Sequence, residues 1–236
     1  IEKIQRKSKY LILIFDNHFY CVIHLGMSGT LHFIGLKKKS TNLSFYGSQS
    51  LPKKHNHIIF RFKNFKLIYN DPRRFGFFKI LKNKKDYLKF FTRIGPEAIS
   101  KDFNKKYLSQ ILKNRTKNIK NLLLDQKLVS GLGNIYVNEI LFQAKINPFK
   151  KSYLINLDEN KRIVKYSKII LKKAIHFGGS SIRDFKGITG KSGNFQSEFK
   201  VYDRAKKRCS RNNCSGQINR KIISNRSTFL CSVCQK

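Results

Sequence analysis

Four cysteines near the carboxyl end of the chain have the spacing of a metal site. They follow the pattern C-x4-C-x16-C-x2-C and are Cys209, Cys214, Cys231 and Cys234. Four thiolates can close a tetrahedral zinc site, and a site closed by protein ligands leaves no position for a reactive water. The sequence therefore predicts one structural zinc ion. Its task would be to hold the hairpin predicted between the second and third cysteines, with strands at 218–224 and 227–231.

Two basic side chains lie where they could bind a polyanion or transfer a proton. Arg226 falls near the turn of the predicted hairpin, where it is either a plain exposed group or a contact to a DNA phosphate or groove. Lys9 precedes an apolar strand. Such a lysine is usually solvated, but one held near a cleft can transfer protons or form a Schiff base. The residues alone leave both alternatives open.

Two further motifs combine turn residues with groups that suit nucleic acid. The segment DPRRFGF at 71–77 places Phe75 beside arginines, so Phe75 is either a wedge that opens a base step or a core residue. The segment LVSGLGNIYVNE places Gly131 and Gly133 just before a predicted helix. Free N–H groups at a helix start attract phosphate, although the same pattern also marks ordinary turns.

The charge of the chain favours a polyanionic partner. Lys and Arg number 50 against 13 Asp and Glu, which gives a net charge of +37. This field attracts nucleic acid and repels other copies of the chain, so we expect a monomer. A genome biased toward lysine would explain part of the excess as solvated surface. Arginine is scarcer, which makes Arg73, Arg74 and Arg226 the more informative cations.

The sequence predicts a soluble, cytoplasmic protein. The longest apolar run is YLILIF at 10–15, whereas a membrane span needs roughly 18 to 20 residues. Clustered cysteines in a reducing compartment are typical of metal binding rather than of disulfides. Cys21 stands apart from them in an apolar strand and is predicted to be a core residue.

Hydrophobic patterning divides the chain into a β part and a helical part. Strands are predicted at 9–15, 19–25, 57–63, 66–69 and 75–81, a spacing typical of a sandwich or barrel. Helices are predicted at 102–113, at 134–144, and from a capping box at Asn156 and Glu159 to about 177. Residues 178–198 contain five glycines and no periodicity. They are predicted to form a mobile loop, which is either a linker or functional.

Taken in chain order, these motifs resemble the bacterial formamidopyrimidine-DNA glycosylase family, whose members remove oxidised purines from DNA. The resemblance runs from residue 4 to the end, and DPRRFG favours this family over the related endonuclease eight. The matching segments are RKSKYLILIF (6–15), HLGMSG (24–29), DPRRFG (71–76), IGPE (94–97), LLLDQKLVSGLGNIYVNEILF (122–142), GGSSIRDF (178–185) and RSTFLCSVCQK (226–236).

The resemblance implies an α+β multidomain fold. Residues 1–93 would form an incomplete N-terminal β-sandwich catalytic domain, and residues 94–199 a helix-two-turn-helix domain whose loop 178–198 closes over the flipped base. Residues 200–236 would form a zinc finger. The implied partner is double-stranded DNA that contains oxidised purines or abasic sites, held between the domains.

The resemblance also implies roles for individual residues. Lys9 matches the proton donor of β-elimination, and Arg226 matches the arginine of δ-elimination. Three residues match the trio that fills the gap left by the extruded nucleotide, namely Met27, Arg73 and Phe75. Four residues match contacts to the DNA backbone, namely His55, Arg115, Lys120 and Asn134. In the family mechanism a neutral amine attacks the sugar carbon as the damaged base leaves.

Two departures from the family pattern lead to further expectations. The first cysteine pair is separated by four residues where the family usually has two. The longer loop between Cys209 and Cys214 should still allow both thiolates to bind one metal ion. The family begins PELPEVE, with an N-terminal proline as nucleophile and a neighbouring glutamate. This chain opens at Ile1, so we expect an N-terminally truncated form that binds DNA but cannot by itself excise a base. The alternative function is a non-catalytic DNA-binding remnant that recognises distorted duplex.

Overall fold

The computed structural model describes residues 1–35, 52–180 and 193–236, which belong to two compact units. The first unit comprises Ile1–Phe90 and Phe177–Gln196, and the second comprises Phe91–His176 and Ser197–Lys236. The predicted helical region and the predicted finger thus lie largely within one unit. The division of the chain into three domains stays a prediction.

The first unit contains two antiparallel sheets. One has the strand order β1-β2-β3-β7 and the other the order β4-β6-β5. The strands are β1 (Lys3–Lys7), β2 (Tyr10–Ile14), β3 (Tyr20–His24), β4 (Thr30–Gly35), β5 (Asn56–Arg61), β6 (Phe65–Asn70) and β7 (Phe77–Leu81). This arrangement confirms the predicted N-terminal β domain.

Aromatic rings join the two sheets of the first unit. The ring of Phe78 in β7 lies 4.7 Å from that of Tyr69 in β6 and 5.8 Å from that of Phe60 in β5. Cys21 is buried in the same core, as predicted, and burial raises the pKa of its thiol to about 11.

The opposite face of β2 and β3 is covered by a helix, α1 (Lys84–Phe91). Its Tyr87 ring stacks 4.6 Å from Tyr20, and its Phe90 ring lies 5.6 Å from Tyr10. Because both faces are covered, these strands are continuously apolar rather than alternating.

The second unit consists of four helices and a hairpin. The helices are α2 (Lys105–Leu112), α3 (Ile119–Leu124), α4 (Asn134–Gln143) and α5 (Leu157–His176), and the hairpin strands are β8 (Ile218–Ile223) and β9 (Arg226–Cys231). The predicted capping box of α5 is confirmed. Asn156 Oδ1 accepts from the Glu159 N–H at 2.9 Å, and Glu159 Oε2 accepts from the Asn156 N–H at 3.0 Å.

Several elements differ from the sequence-based prediction for physical reasons. Strand β1 has the sequence KIQRK, and it was not predicted because a largely exposed edge strand needs no apolar alternation. Helix α3 has six residues, which is too short to show a period. Strand β4 and helix α1 were also missed. The predicted loop 178–198 is only partly described: its ends pair through Ser180 and Asn194, and residues 181–192 lie outside the described residues.

Within the described ranges, no helix combines the length and the apolar character required to cross a membrane.

Candidate functional site

Two loops of the first unit lie against each other and expose three of the predicted DNA-contacting residues. The loop after β3 carries Met27, which is 52% exposed, and the loop after β6 carries Phe75, which is 56% exposed. The guanidinium of Arg73 lies 4.7 Å from the centre of the Phe75 ring. The alternative that Phe75 belongs to the core is therefore wrong. The exposed aromatic ring is backed by a cation, which suits a side chain that enters a base stack.

A buried carboxylate connects these two loops. Asp71 is fully buried, and its Oδ2 accepts from the Tyr69 hydroxyl and from the Gly76 N–H, both at 2.8 Å. Its Oδ1 accepts from the Ser28 hydroxyl, and Ser28 Oγ in turn accepts from the Arg73 N–H at 3.1 Å. Asp71 was not predicted as a functional residue, although it opens the DPRRFG motif.

Lys9 lies in the two-residue turn between β1 and β2, where it is exposed. Burial and, secondarily, the positive charge of Lys9 lower the pKa of His24. The Nδ1 atom of His24 accepts from the Gly26 N–H at 3.1 Å, and its ring stacks 5.7 Å from that of Phe77. His24 is thus held as a neutral imidazole near a cation. His24 was not predicted as a functional residue, although it begins the HLGMSG segment.

The other predicted residues of the DNA backbone contacts lie at different places. His55 ends a short 3-10 helix in the first unit, and its carbonyl accepts from the Asp71 N–H at 3.0 Å. Arg115 is exposed in the turn after α2 in the second unit. The His55 backbone is therefore hydrogen-bonded to Asp71, the residue that connects the two loops.

In the second unit, one glutamine braces the loop that precedes α4. Gln126 Nε2 donates to the carbonyls of Leu124 and Leu132, both at 2.9 Å, and its Oε1 accepts from the Gly131 N–H at 3.0 Å. These bonds satisfy backbone groups that the turns leave unpaired. They also fix where Asn134 begins α4, so the first N–H groups of that helix have a defined direction.

The tip of the β8–β9 hairpin is held by two of the predicted residues. Lys120 Nζ donates to the Ser227 carbonyl at 2.9 Å and to Thr228 Oγ1 at 2.7 Å. Asn134 Nδ2 donates to the same Ser227 carbonyl at 3.0 Å. Arg226 is exposed beside them. The structure thus brings Lys120, Asn134 and Arg226 together. The Lys120 ammonium group, however, is fully buried and faces the hairpin.

The burial of Lys120 has a consequence for the pH dependence of stability. Burial and the nearby charge of Arg226 lower the pKa of Lys120 to about 8 in the folded protein. An unfolded lysine keeps its proton up to a pKa of about 10.4. Between these values the unfolded chain binds more protons than the folded one. The Lys120 contribution to the free energy of unfolding should therefore rise with pH, by up to about 1.4 kcal/mol per pH unit.

This prediction can be measured by denaturant unfolding of the protein and of Lys120→Met across that pH range. The difference between the two free energies should grow in favour of the unmodified protein as pH rises from 8. Lys106→Met removes an exposed lysine of the same unit and should leave the profile unchanged. An equal profile for Lys120→Met and the unmodified protein would contradict the assigned pKa.

The four cysteines meet at the end of the hairpin. Their sulfur atoms all lie within 4.8 Å of one another, with Cys209 and Cys234 3.8 Å apart and Cys214 and Cys231 3.7 Å apart. A tetrahedral site with metal–sulfur bonds of about 2.3 Å separates its sulfurs by about 3.8 Å. The cluster therefore fits a metal ion. The longer spacing within the first cysteine pair does not prevent the four sulfurs from converging.

The cysteine hairpin shares a hydrophobic core with α4. The core contains residues of both, namely Phe142, Val201, Cys209, Ile218, Phe229 and Cys231. Asn138 Oδ1 accepts from the Phe229 N–H at 2.7 Å. The buried Glu139 carboxylate accepts from the N–H groups of the three residues that lead into the hairpin, which are Lys200, Val201 and Tyr202. Polar residues on α4 thus orient the hairpin, a role that hydrophobic periodicity could not indicate.

The fold and site define a class of protein. It has an N-terminal two-sheet unit with an exposed aromatic loop, a helical unit with a glycine-rich entry into α4, and a C-terminal hairpin that could bind a metal ion.

Comparison with known proteins identifies the family. The model of the formamidopyrimidine-DNA glycosylase N-terminal domain matches residues 1–78, and the model of the formamidopyrimidine-DNA glycosylase H2TH domain matches residues 94–186. A formamidopyrimidine-DNA glycosylase of Roseobacter denitrificans is 40% identical over 238 residues, which cover 100% of this chain and 83% of the relative.

Solved structures agree with this assignment. A complex between the Lactococcus lactis Fpg and an abasic site containing DNA superposes with a TM-score of 0.86 at 35% identity, covering 100% of this chain and 82% of that one. MutM in complex with carbocyclic 8-oxo-G containing DNA gives a TM-score of 0.84 at 34% identity, covering 100% and 81%. The chain belongs to the formamidopyrimidine-DNA glycosylase family, which confirms the resemblance and the fold class predicted from the sequence. The comparisons do not support the expected truncation.

Proposed function

We propose that this protein is a base-excision repair enzyme that removes oxidised purines, including formamidopyrimidine and 8-oxoguanine, from duplex DNA. It is a DNA glycosylase and also an abasic-site lyase, and it nicks the abasic site by β,δ-elimination. Family membership supports the reaction class. The observation that carries the proposal is the exposed Phe75 ring, backed by the Arg73 guanidinium and placed beside the loop of Met27.

The exposed trio would act when the damaged nucleotide leaves the base stack. Extruding a base costs a few kcal/mol of stacking and pairing free energy. A side chain inserted into the vacated step offsets part of that cost. Phe75 supplies an apolar face for the step, while Arg73 and Met27 fill the rest of the gap. This assignment gives a role to the exposed side chains of Phe75 and Met27.

We assign the strand-cutting steps to two basic residues. After an amine has displaced the base, the sugar is held as a Schiff base, and loss of a proton next to it expels the 3′ phosphate. Lys9 would act as the proton donor in this β-elimination. Arg226 would assist the second, δ-elimination, which expels the 5′ phosphate. His55, Arg115 and Asn134 would contact the DNA backbone and hold the duplex during these steps. Lys120, which was expected to make the same kind of contact, is buried and instead holds the hairpin tip that carries Arg226.

We also propose that the metal ion of the cysteine cluster is a single structural zinc. The donor set of four thiolates is typical of zinc, and it leaves no position for substrate or water. When bound, the ion would cross-link the two ends of the hairpin that carries Arg226. Four reduced thiols require a reducing compartment, which fits a cytoplasmic protein that works as a monomer on DNA.

The reaction is tested with duplex DNA that contains one oxidised guanine. The protein should release the damaged base, leave a nick with phosphates on both sides, and form a covalent adduct when borohydride is added. Lys9→Met should lower strand cutting more than base release. Tight binding without base release would instead favour the non-catalytic alternative.

Binding to duplex should depend steeply on salt, because cationic contacts to phosphate release counterions. Three exposed arginines are assigned to the interface, namely Arg73, Arg115 and Arg226. Neutralising three phosphate charges predicts a loss of roughly fortyfold in affinity between about 50 and 200 mM salt. Arg115→Gln should lower the slope by about 0.9, since it removes one phosphate contact.

Fluorescence anisotropy with a labelled duplex at several salt concentrations measures this slope. The matched control is Arg93→Gln, which removes an exposed arginine with no assigned contact. An affinity that does not change with salt would show that the net charge of +37 does not contribute to DNA binding.

A further inference from the structure

Asp71 is a buried charged residue of the first unit that has no role in the proposed reaction steps. It is fully buried and accepts hydrogen bonds from Ser28, Tyr69 and Gly76. Burial acts to raise the pKa of Asp71, but the hydrogen bonds from these residues outweigh it and leave the pKa below its ordinary value. The group is therefore a carboxylate at neutral pH. A buried charge is costly unless its hydrogen bonds are made, so its partners are held firmly in place.

The backbone around Asp71 has little freedom of its own. A Cβ at Gly76 would lie 1.8 Å from the Tyr69 hydroxyl oxygen. The backbone at Gly76 therefore packs directly against Tyr69, which is a hydrogen-bond partner of Asp71. Arg74 lies between Arg73 and Phe75 and has a φ of +55°. This value is in the left-handed region, which non-glycine residues rarely adopt. Such a conformation persists only where the surroundings impose it. The bonds to Asp71 on either side of Arg74 provide that constraint.

The same carboxylate reaches the exposed trio by short paths. Ser28 directly follows Met27, and Ser28 Oγ links Asp71 to the backbone N–H of Arg73 at 3.1 Å. Gly76 directly follows Phe75 and donates its N–H to Asp71 at 2.8 Å. Each member of the trio is thus one residue or one hydrogen bond from a group that Asp71 binds. The side chains of the trio are exposed, whereas the group that orients them is buried.

We propose that Asp71 is a positioning residue that presets Met27, Arg73 and Phe75 for insertion into the base step. It acts through the two loops and does not itself touch DNA. The proposal rests on the proposed function in that DNA is the ligand of the trio. Preorganisation matters here because a displacement of about 1 Å can lower a rate by about a hundredfold.

The test uses Asp71→Ala, which leaves the Gly76 N–H and two hydroxyl groups without their acceptor. Asp71→Asn is the conservative variant, because its amide oxygen can still accept from Gly76 while its NH2 group donates to Ser28. The matched control is Asp16→Ala, which removes an exposed carboxylate of the same unit. Ser28→Ala removes the hydrogen bonds that link Asp71 to the Met27 loop and to Arg73, but keeps those from Tyr69 and Gly76. It serves as the decisive variant if Asp71→Ala does not fold.

The main measurement needs no catalysis. A duplex carries one oxidised guanine beside 2-aminopurine, whose fluorescence rises when the step is opened on binding. We expect Asp71→Ala to lower this rise about tenfold, as Phe75→Ala does, and Asp71→Asn to restore most of it. Affinity for a duplex with a tetrahydrofuran abasic analogue should stay within about a factor of two of the unmodified protein. A loss of general stability would instead lower both readouts.

A double-mutant cycle completes the test. If Asp71 presets the trio, the losses caused by Asp71→Ala and Phe75→Ala should be less than additive in the variant with both changes, because both act on the same insertion step. Additive losses, equal losses on the abasic duplex, or a normal rise in Asp71→Ala would each overturn the proposal. A normal rise in the unmodified protein without any base release would refute the proposed excision activity while leaving the role of Asp71 intact. The absence of a rise in the unmodified protein would refute the role of the trio and this inference with it.

Discussion

Replacing Cys234 with alanine should release the metal ion and detach the hairpin from α4. Three remaining sulfurs cannot close the tetrahedral site, and structural zinc contributes apparent binding free energies of about 10 to 16 kcal/mol in isolated fingers. The hairpin core holds few apolar side chains and includes Cys209 and Cys231 themselves. Without the ion, the hairpin would lose the cross-link between its ends, and Arg226 would lose its fixed position.

Elemental analysis should show one zinc per chain for the unmodified protein and much less for Cys234→Ala. Duplex affinity, measured by anisotropy, should fall by at least about tenfold, since the tip contacts are lost together. Cys21→Ala is the matched control because it removes a buried thiol outside the cluster and should leave the metal content unchanged. Unchanged metal content in Cys234→Ala would rule out the four-cysteine site.

Replacing Phe75 with alanine should slow the excision of a damaged base from duplex by roughly tenfold to a hundredfold. The reason is that the proposed wedge would offset an unstacking cost of a few kcal/mol, and a factor of ten corresponds to about 1.4 kcal/mol. An abasic site has already lost the stacked base. Binding and cutting at an abasic site should therefore change much less than base excision.

Single-turnover rates on two duplexes, one with an oxidised guanine and one with an abasic site, measure this difference. Phe19→Ala is the matched control, because it removes another partly exposed phenylalanine, 37% exposed in the turn between β2 and β3. Equal losses on both duplexes for Phe75→Ala would mean that the ring supports the fold rather than the opened step.

Local spacing in the sequence determined the features that need only neighbouring residues. The cysteine pattern predicted the cluster, because each cysteine pair is joined by a short loop and the two pairs are joined by one hairpin. The capping box at Asn156 and Glu159 predicted the start of α5 for the same reason, since its two hydrogen bonds join residues three apart. The combination of DPRRFG with the other motifs was sufficient to identify the family.

Only the tertiary structure decided the features that depend on distant partners. Strand β1 is defined by its pairing with β2, and α3 by its packing, because neither carries enough periodicity of its own. The sequence left Phe75 as either core or surface, and its exposure depends on which loops lie beside it. Lys120 was predicted only as a DNA contact, yet its ammonium group is buried against residues more than a hundred positions away.

Asp71 is the clearest case of a residue whose role could not be predicted from the sequence. Its position at the start of DPRRFG marks it as a turn residue, for which aspartate is common in any protein. Its role depends on Ser28, which lies 43 positions earlier in the chain and reaches it only after two sheets have formed. Burial of a charge and completion of its hydrogen bonds are properties of the packed structure. They leave no periodic or local signal in the sequence.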